Sequence, residues 1–175
     1  MYEIYCLPAR EVVCPQDAFD EHEGQCHDGF VDETNPGCNV SSPIFQEPPM
    51  DTRICGSSGN YIFENTEYCD TDWFDVTATG QFGLWWSVCA EFPVRACLLY
   101  ADAGCGGAHT QVTDSAEPYE TLWGDYDEPG HYYFVISVDG WIGIPCGSAY
   151  VARIFNEDPC PVEEASWGTI KAMYR

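Results

Sequence analysis

The chain has 175 residues, 45% hydrophobic and 15% aromatic, with six Lys plus Arg against 29 Asp plus Glu and a formal net charge of -23. The length suits one domain with a terminal extension, and the aromatic content excludes a disordered acidic tail, which carries charge without core-forming residues. The charge argues against phosphate backbones and anionic headgroups as partners, and no apolar run is long enough to span a bilayer, so neither nucleic-acid binding nor membrane insertion is expected.

The chain starts Met1-Tyr2-Glu3-Ile4, without the basic and apolar regions of a signal peptide. Its eleven cysteines require an oxidising compartment, so a mature or excised secreted protein, extracellular or on a cell surface, is expected. Residues 1–50 read as a loop-rich extension in which Met1 to Leu7, through Tyr2 and Ile4, can add as an edge strand to a neighbouring subunit. From Pro8 to Pro49 the segment is rich in Pro, Gly, Asp, Glu and Cys and has no apolar periodicity.

Residues 51–156 read as an all-β antiparallel sandwich, with no amphipathic helix. Short strands are expected at Tyr61–Phe63, Trp73–Thr77, Gln111–Thr113 and Tyr119–Trp123. Two-residue alternation places Phe82, Leu84, Trp86 and Val88 on one face, then Val94, Ala96, Leu98 and Tyr100, then Tyr132, Phe134, Ile136 and Val138, then Tyr150, Ala152 and Ile154. Glu128-Pro129-Gly130 predicts a tight turn in which Pro presets one dihedral and Gly supplies a positive one. Residues 157–175 form a C-terminal tail with a candidate strand at Gly168–Met173 and Trp167 as a docking residue.

Asp70 and Asp72 share parity with Phe74 and Val76, which turns both carboxylates toward the core. A core cannot hold two unpaired carboxylates. Either the strand starts after Asp72 and leaves them at the rim, or a cation neutralises them. Calcium takes roughly six to eight oxygens, so it would need backbone carbonyls and acids such as Glu21, Glu23, Asp28 or Asp32 as well. The same pair has the spacing of an inverting glycosidase, roughly 6.5 to 7 Å, but nothing in the chain signals a catalytic cleft.

Glu21, His22, Glu23, Cys26 and His27 form a compact potential transition-metal set, opposed by oxidation of Cys26. Eleven residues separate Cys26 from Cys38 in a Gly/Pro/Asn-rich loop, which favours a local Cys26–Cys38 disulfide. Cys89 can pair with Cys97 across a hairpin, and Cys97 or Cys105 with Cys146 is equally arguable. The cysteine count is odd, and Cys6 and Cys160, in the terminal extensions, are candidates for a free or intermolecular thiol.

No histidine stands where it would activate a thiolate, and Gly56-Ser57-Ser58-Gly59 lacks the lysine of a phosphate loop, so the chain reads as non-catalytic. Trp73, Trp85, Trp123, Tyr133 and Trp141 either stack on sugars or fill a subunit contact, or else pack under loops and the lead-in. Asn39-Val40-Ser41 is a glycosylation sequon.

The runs C-D-T-D-W-F-D-V (Cys69 to Val76), L-W-W-S-V-C-A-E-F-P-V (Leu84 to Val94) and E-P-G-H-Y-Y-F-V-I-S-V (Glu128 to Val138), in that order, resemble the bacterial pre-peptidase C-terminal domain. The segment Cys26 to Asn39, with P-I-F-Q and I-C-G-S-S-G-N-Y after it, resembles a cysteine-bearing variety of that domain in secreted proteins. Together the likeness covers roughly residues 20–155. It implies a jelly-roll-like, non-catalytic sandwich, with calcium bound in some members; only Asp70 and Asp72 carry over to a metal site. Cys69 stands where the family pattern does not usually have cysteine, which adds it to the candidates for the unpaired thiol.

Two functions are expected from this reading. One is a self-associating structural subunit of an extracellular filament or layer, held by its terminal segments. The other is an accessory module of a secreted exoenzyme that binds polysaccharide or protein.

Overall fold

The computed structural model describes residues 11–79, 83–140 and 143–156. Where apolar and polar residues alternate, the described chain forms strands, and among these residues there is no helix. The strands are β1 (Phe19–Asp20), β2 (Arg53–Ser58), β3 (Asn60–Phe63), β4 (Thr66–Cys69), β5 (Thr71–Ala78), β6 (Leu84–Ala90), β7 (Val94–Tyr100), β8 (His109–Ala116), β9 (Thr121–Tyr126), β10 (Gly130–Val138) and β11 (Ser148–Phe155). They form one sheet in the order β1-β2-β11-β6-β9, a second in the order β5-β10-β7-β8, and the separate hairpin β3-β4. All pairings are antiparallel except β1 with β2. From β5 onward the chain crosses from one sheet to the other at every connection except the β7-β8 hairpin, which stays within the second sheet.

The inward faces follow the predicted parity. Leu84, Trp86, Val88, Val94, Ala96, Leu98, Phe134 and Ile136 are buried between the sheets with Phe74, Tyr132, Tyr150, Ala152 and Ile154. Removing a ring as completely enclosed as Phe134 costs about 3 to 5 kcal/mol.

The outward faces depart from the expected pattern because the lead-in covers both of them. On one sheet Trp73, Tyr133 and Val135 are buried under Phe45, Cys38 and their neighbours, and the Phe45 ring stacks on Tyr133 with centroids 4.3 Å apart. Gly37 passes so close that a Cβ there would lie 2.1 Å from Trp73 Cγ. On the other sheet Cys55, Cys89 and Val151 are buried with Val12 and Ala18 packed on them. Trp73 is thus a packing residue, 9% exposed, and is not available for the subunit or ligand contact expected of it. Trp85 is half-buried, and Trp123 is 44% exposed.

Three disulfides tie the lead-in to the sandwich: Cys14–Cys55, Cys26–Cys146 and Cys38–Cys105. The expected local Cys26–Cys38 bridge is not formed. Cys38 packs on the outer face of the second sheet, whereas Cys26 is buried where the chain reaches the segment leading into β11, so the two ends of that loop serve different parts of the molecule. The Cys26–Cys146 loop spans 120 residues, and closing a loop of that size removes about 5 kcal/mol of unfolded-state entropy when taken alone. Cys89 is also disulfide-bonded, but not to Cys97; both Cys69 and Cys97 are free thiols.

Arg53–Ser58 forms a strand that is not among those expected from the sequence. Gly130 opens β10 without the positive φ expected of it. It makes room for the Tyr132 hydroxyl, which a Cβ would approach to 2.8 Å and which donates to the Glu128 carbonyl at 3.0 Å. Tyr2, Ile4, Cys6, Trp141, Cys160, Trp167 and the candidate strand at Gly168–Met173 lie outside the described residues.

Candidate metal centre

β5 starts at Thr71, so Asp72 is already inside the strand and points the same way as Phe74. Asp72 is 0% exposed and Asp70, just before the strand, 3%. The alternative that leaves this pair at a solvated rim is therefore overturned.

The lead-in brings three more acids to the pair. Carboxylate oxygens of Glu21, Glu23 and Asp72 lie within 4.8 Å of one another, and so do those of Glu23, Asp32 and Asp70, with Glu23 common to both groups. Asp28, also considered from sequence, stands apart and accepts the Ile62 N–H at 3.1 Å. The transition-metal set is dispersed, because Cys26 is oxidised and His22 and His27 are exposed.

Each acid is positioned by a specific local contact. Glu21 follows β1; its N–H donates to the Cys55 carbonyl at 3.2 Å, and its own carbonyl accepts from Gln46 Nε2 at 2.5 Å. Its side chain accepts the Ser57 N–H at 2.6 Å and the Tyr150 hydroxyl at 2.9 Å. Gly56 makes this cradle: a Cβ there would lie 2.3 Å from Glu21 Oε2 and 2.4 Å from the Tyr150 hydroxyl. Asp32 Oδ1 turns its loop by accepting the N–H groups of Thr34 and Asn35 at 2.7 and 3.1 Å. The Asp70 N–H donates to the Gly59 carbonyl at 2.9 Å, and the Asp70 carbonyl accepts from the Ser58 hydroxyl at 2.9 Å.

Among the described residues, no cationic side chain is paired with the cluster. The described arginines Arg53, Arg95 and Arg153 form ion pairs with Asp17, Asp139 and Asp51. Both oxygens of Asp72 and both of Glu23 are buried without a hydrogen-bond donor. Burial, reinforced by the neighbouring acids, pushes Glu21 up to about 7, Asp70 to about 8 and Glu23 to about 9, and holds Asp72 well above the usual carboxylate range. Burial raises the Tyr150 hydroxyl as well. A buried set of oxygens like this is satisfied either by protons or by a hard cation, and an all-oxygen donor set of flexible geometry suits calcium better than zinc or copper.

Beside the acids lies a cleft of about 650 Å³, lined by Asp32 and Asp70 and by the aromatic residues Phe30, Tyr61, Phe63 and Tyr68. Cys69 and Asn39 line it too. The Cys69 thiol accepts from Asn60 Nδ2 at 3.2 Å, and burial raises its pKa. The exposed Asn39 donates to the Thr71 hydroxyl at 2.7 Å.

Sequence reasoning named all five acids but missed Gly56, Tyr150 and the hairpin aromatics. Glu21-x-Glu23 repeats the two-residue spacing of Asp70-x-Asp72, and that signal was legible. Tyr150 carries none, because its alternation marks it only as core.

The chain matches no protein-family model and none of the curated proteins. Among solved structures it is similar to the crystal structure of PirA, with 12% identity, 48% of this chain and 83% of that chain covered, and a TM-score of 0.36. A likeness at this level carries no argument about function.

Proposed function

We propose that this protein is a secreted, non-catalytic binding module whose lead-in is locked to a β-sandwich by calcium. The observation that carries the reading is Asp72, fully buried, with neither carboxylate oxygen hydrogen-bonded and other acids as its nearest charged groups. Calcium would be held by Glu21, Glu23, Asp32, Asp70 and Asp72. There it supplies the positive charge that lets these acids ionise inside the fold. The three lead-in disulfides support an oxidising habitat, and no helix among the described residues is long and apolar enough to cross a membrane.

A glycosidase role for the pair Asp70 and Asp72 has no support from the geometry, because it needs both carboxylates at the sugar and Asp72 has no exposed surface. The aromatic cleft beside the acids favours the accessory, ligand-holding role implied by the resemblance to pre-peptidase C-terminal domains. The self-associating role depends on Tyr2, Ile4 and Trp167, outside the described residues, and analytical ultracentrifugation tests it.

The test of the binding reading is retention of the purified chain on insoluble chitin, cellulose and collagen. Retention on at least one in calcium, lost in excess chelator, is the expected result. No retention on any of them in either condition would count against a binding module.

A further inference from the structure

Glu23, Asp32 and Asp70 bring carboxylate oxygens within 4.8 Å of one another, and two of the three, Asp32 and Asp70, also line the aromatic cleft. The inner group of Glu21, Glu23 and Asp72 differs in that Asp72 is sealed from solvent with both oxygens orphaned. The two groups share Glu23, and only the outer one borders open space. Three carboxylates, one with an oxygen already accepting two backbone N–H groups, fall short of the roughly six to eight oxygens that calcium takes. A cation held there would have coordination positions left for a ligand.

The cleft is also lined by flat aromatic faces. β3 and β4 pair Tyr61 with Tyr68, and the two-residue period puts Phe63 on the same face as Tyr61. The Tyr61 and Tyr68 rings lie 5.8 Å apart at 21°, with Phe30 edge-on to Tyr61 at 5.4 Å and Phe63 edge-on to Tyr68 at 6.4 Å. Tyr68 remains 42% exposed. A pyranose ring combines the two complements: an apolar C–H face that stacks on tyrosine and adjacent hydroxyls that can coordinate calcium. With a net charge of -23, an uncharged sugar is favoured over an acidic polymer.

We propose that the cleft is a neutral-carbohydrate site in which the outer calcium, held by Glu23, Asp32 and Asp70, binds vicinal sugar hydroxyls while the sugar stacks on Tyr61 and Tyr68. This rests on the calcium reading above. The site is separate from the inner cation, which serves the fold.

The test is calorimetry of the whole chain with cellohexaose, xylohexaose and mannohexaose, with calcium and with chelator, beside a parallel titration with calcium alone. At least one neutral hexasaccharide is expected to bind in calcium and to weaken about tenfold or more in chelator. Tyr68→Ala should weaken the sugar by a similar factor and leave calcium binding unchanged. Asp32→Asn, which keeps the oxygen that caps Thr34 and Asn35, should abolish the sugar and the outer calcium while the inner calcium stays. Calcium binding with no response to any of the three sugars would overturn the carbohydrate site and leave the calcium reading standing; no calcium binding would overturn both. Sugar binding unaffected by chelator or by Tyr68→Ala, or capture of an oligolysine peptide by the calcium-free chain in place of sugar, would also overturn it.

Discussion

Removing divalent cations should reverse the usual response of a folded protein to pH. Unfolded Asp70 ionises near 3.8, whereas burial and the charges of Asp32 and Glu21 raise it to about 8 in the folded chain. Its folded pKa is raised, so between these values the native state holds the proton more tightly. The contribution of Asp70 to stability is fully present below pH 3.8 and is lost as pH climbs through about 8. Surface carboxylates are ionised by pH 6, and the chain's histidines contribute equally in chelator and in calcium, so over the interval from 6 to 8 the difference between the two conditions isolates the cluster. Over these two pH units a group raised to about 8 loses about 2 kcal/mol of its contribution, which in a domain of this size lowers Tm by about 4 to 8 °C. Glu21, raised to about 7, and Glu23, raised to about 9, act in the same direction.

The assay is thermal unfolding by circular dichroism, without reductant, at pH 6, 7 and 8 in chelator and in excess calcium. In chelator Tm should fall across the series, and in calcium the fall should disappear as ionised acids bind the cation more tightly. A Tm that is flat or rising in chelator, or unaffected by calcium at pH 8, refutes the reasoning.

Gly56→Ala places a methyl 2.3 Å from Glu21 Oε2, so it should displace that carboxylate and weaken calcium about tenfold or more, with a stability loss of about 1 to 3 kcal/mol in denaturant titrations. Phe45→Ala removes the ring stacked on Tyr133 and should cost about 2 kcal/mol, with red-shifted tryptophan emission as Trp73 meets water. Alkylation of the unfolded, unreduced chain followed by peptide mapping should label Cys69 and Cys97 and spare Cys14, Cys26, Cys38, Cys55, Cys105 and Cys146.

The sandwich was legible because a strand buried on one face writes its parity into the chain, as Leu84, Trp86 and Val88 do. Tyr133 and Val151 break that parity for a reason local sequence cannot carry: distant segments around Phe45 and Val12 cover the outer faces. The disulfides failed the same way. Proximity along the chain favoured Cys26 with Cys38, whereas the wrapped lead-in sends the two to Cys146 and Cys105. Asp70 and Asp72 stood out as charges at core parity. β2 was missed because the glycine and serines in Arg53–Ser58, among them the Gly56 of the Glu21 cradle, leave no run of alternating apolar residues.

The central claim is that the buried acids exist to hold calcium, and the most direct measurement is the calcium content of the chain by calorimetry against equilibrium dialysis, for the native protein and for Asp72→Asn. The account predicts two calcium ions per native chain, one for each carboxylate group around Glu23, and weakened binding at the inner position in a variant that is more stable than native in chelator at pH 8. A native chain that takes up no calcium, or a variant that binds it as tightly as native, contradicts the account.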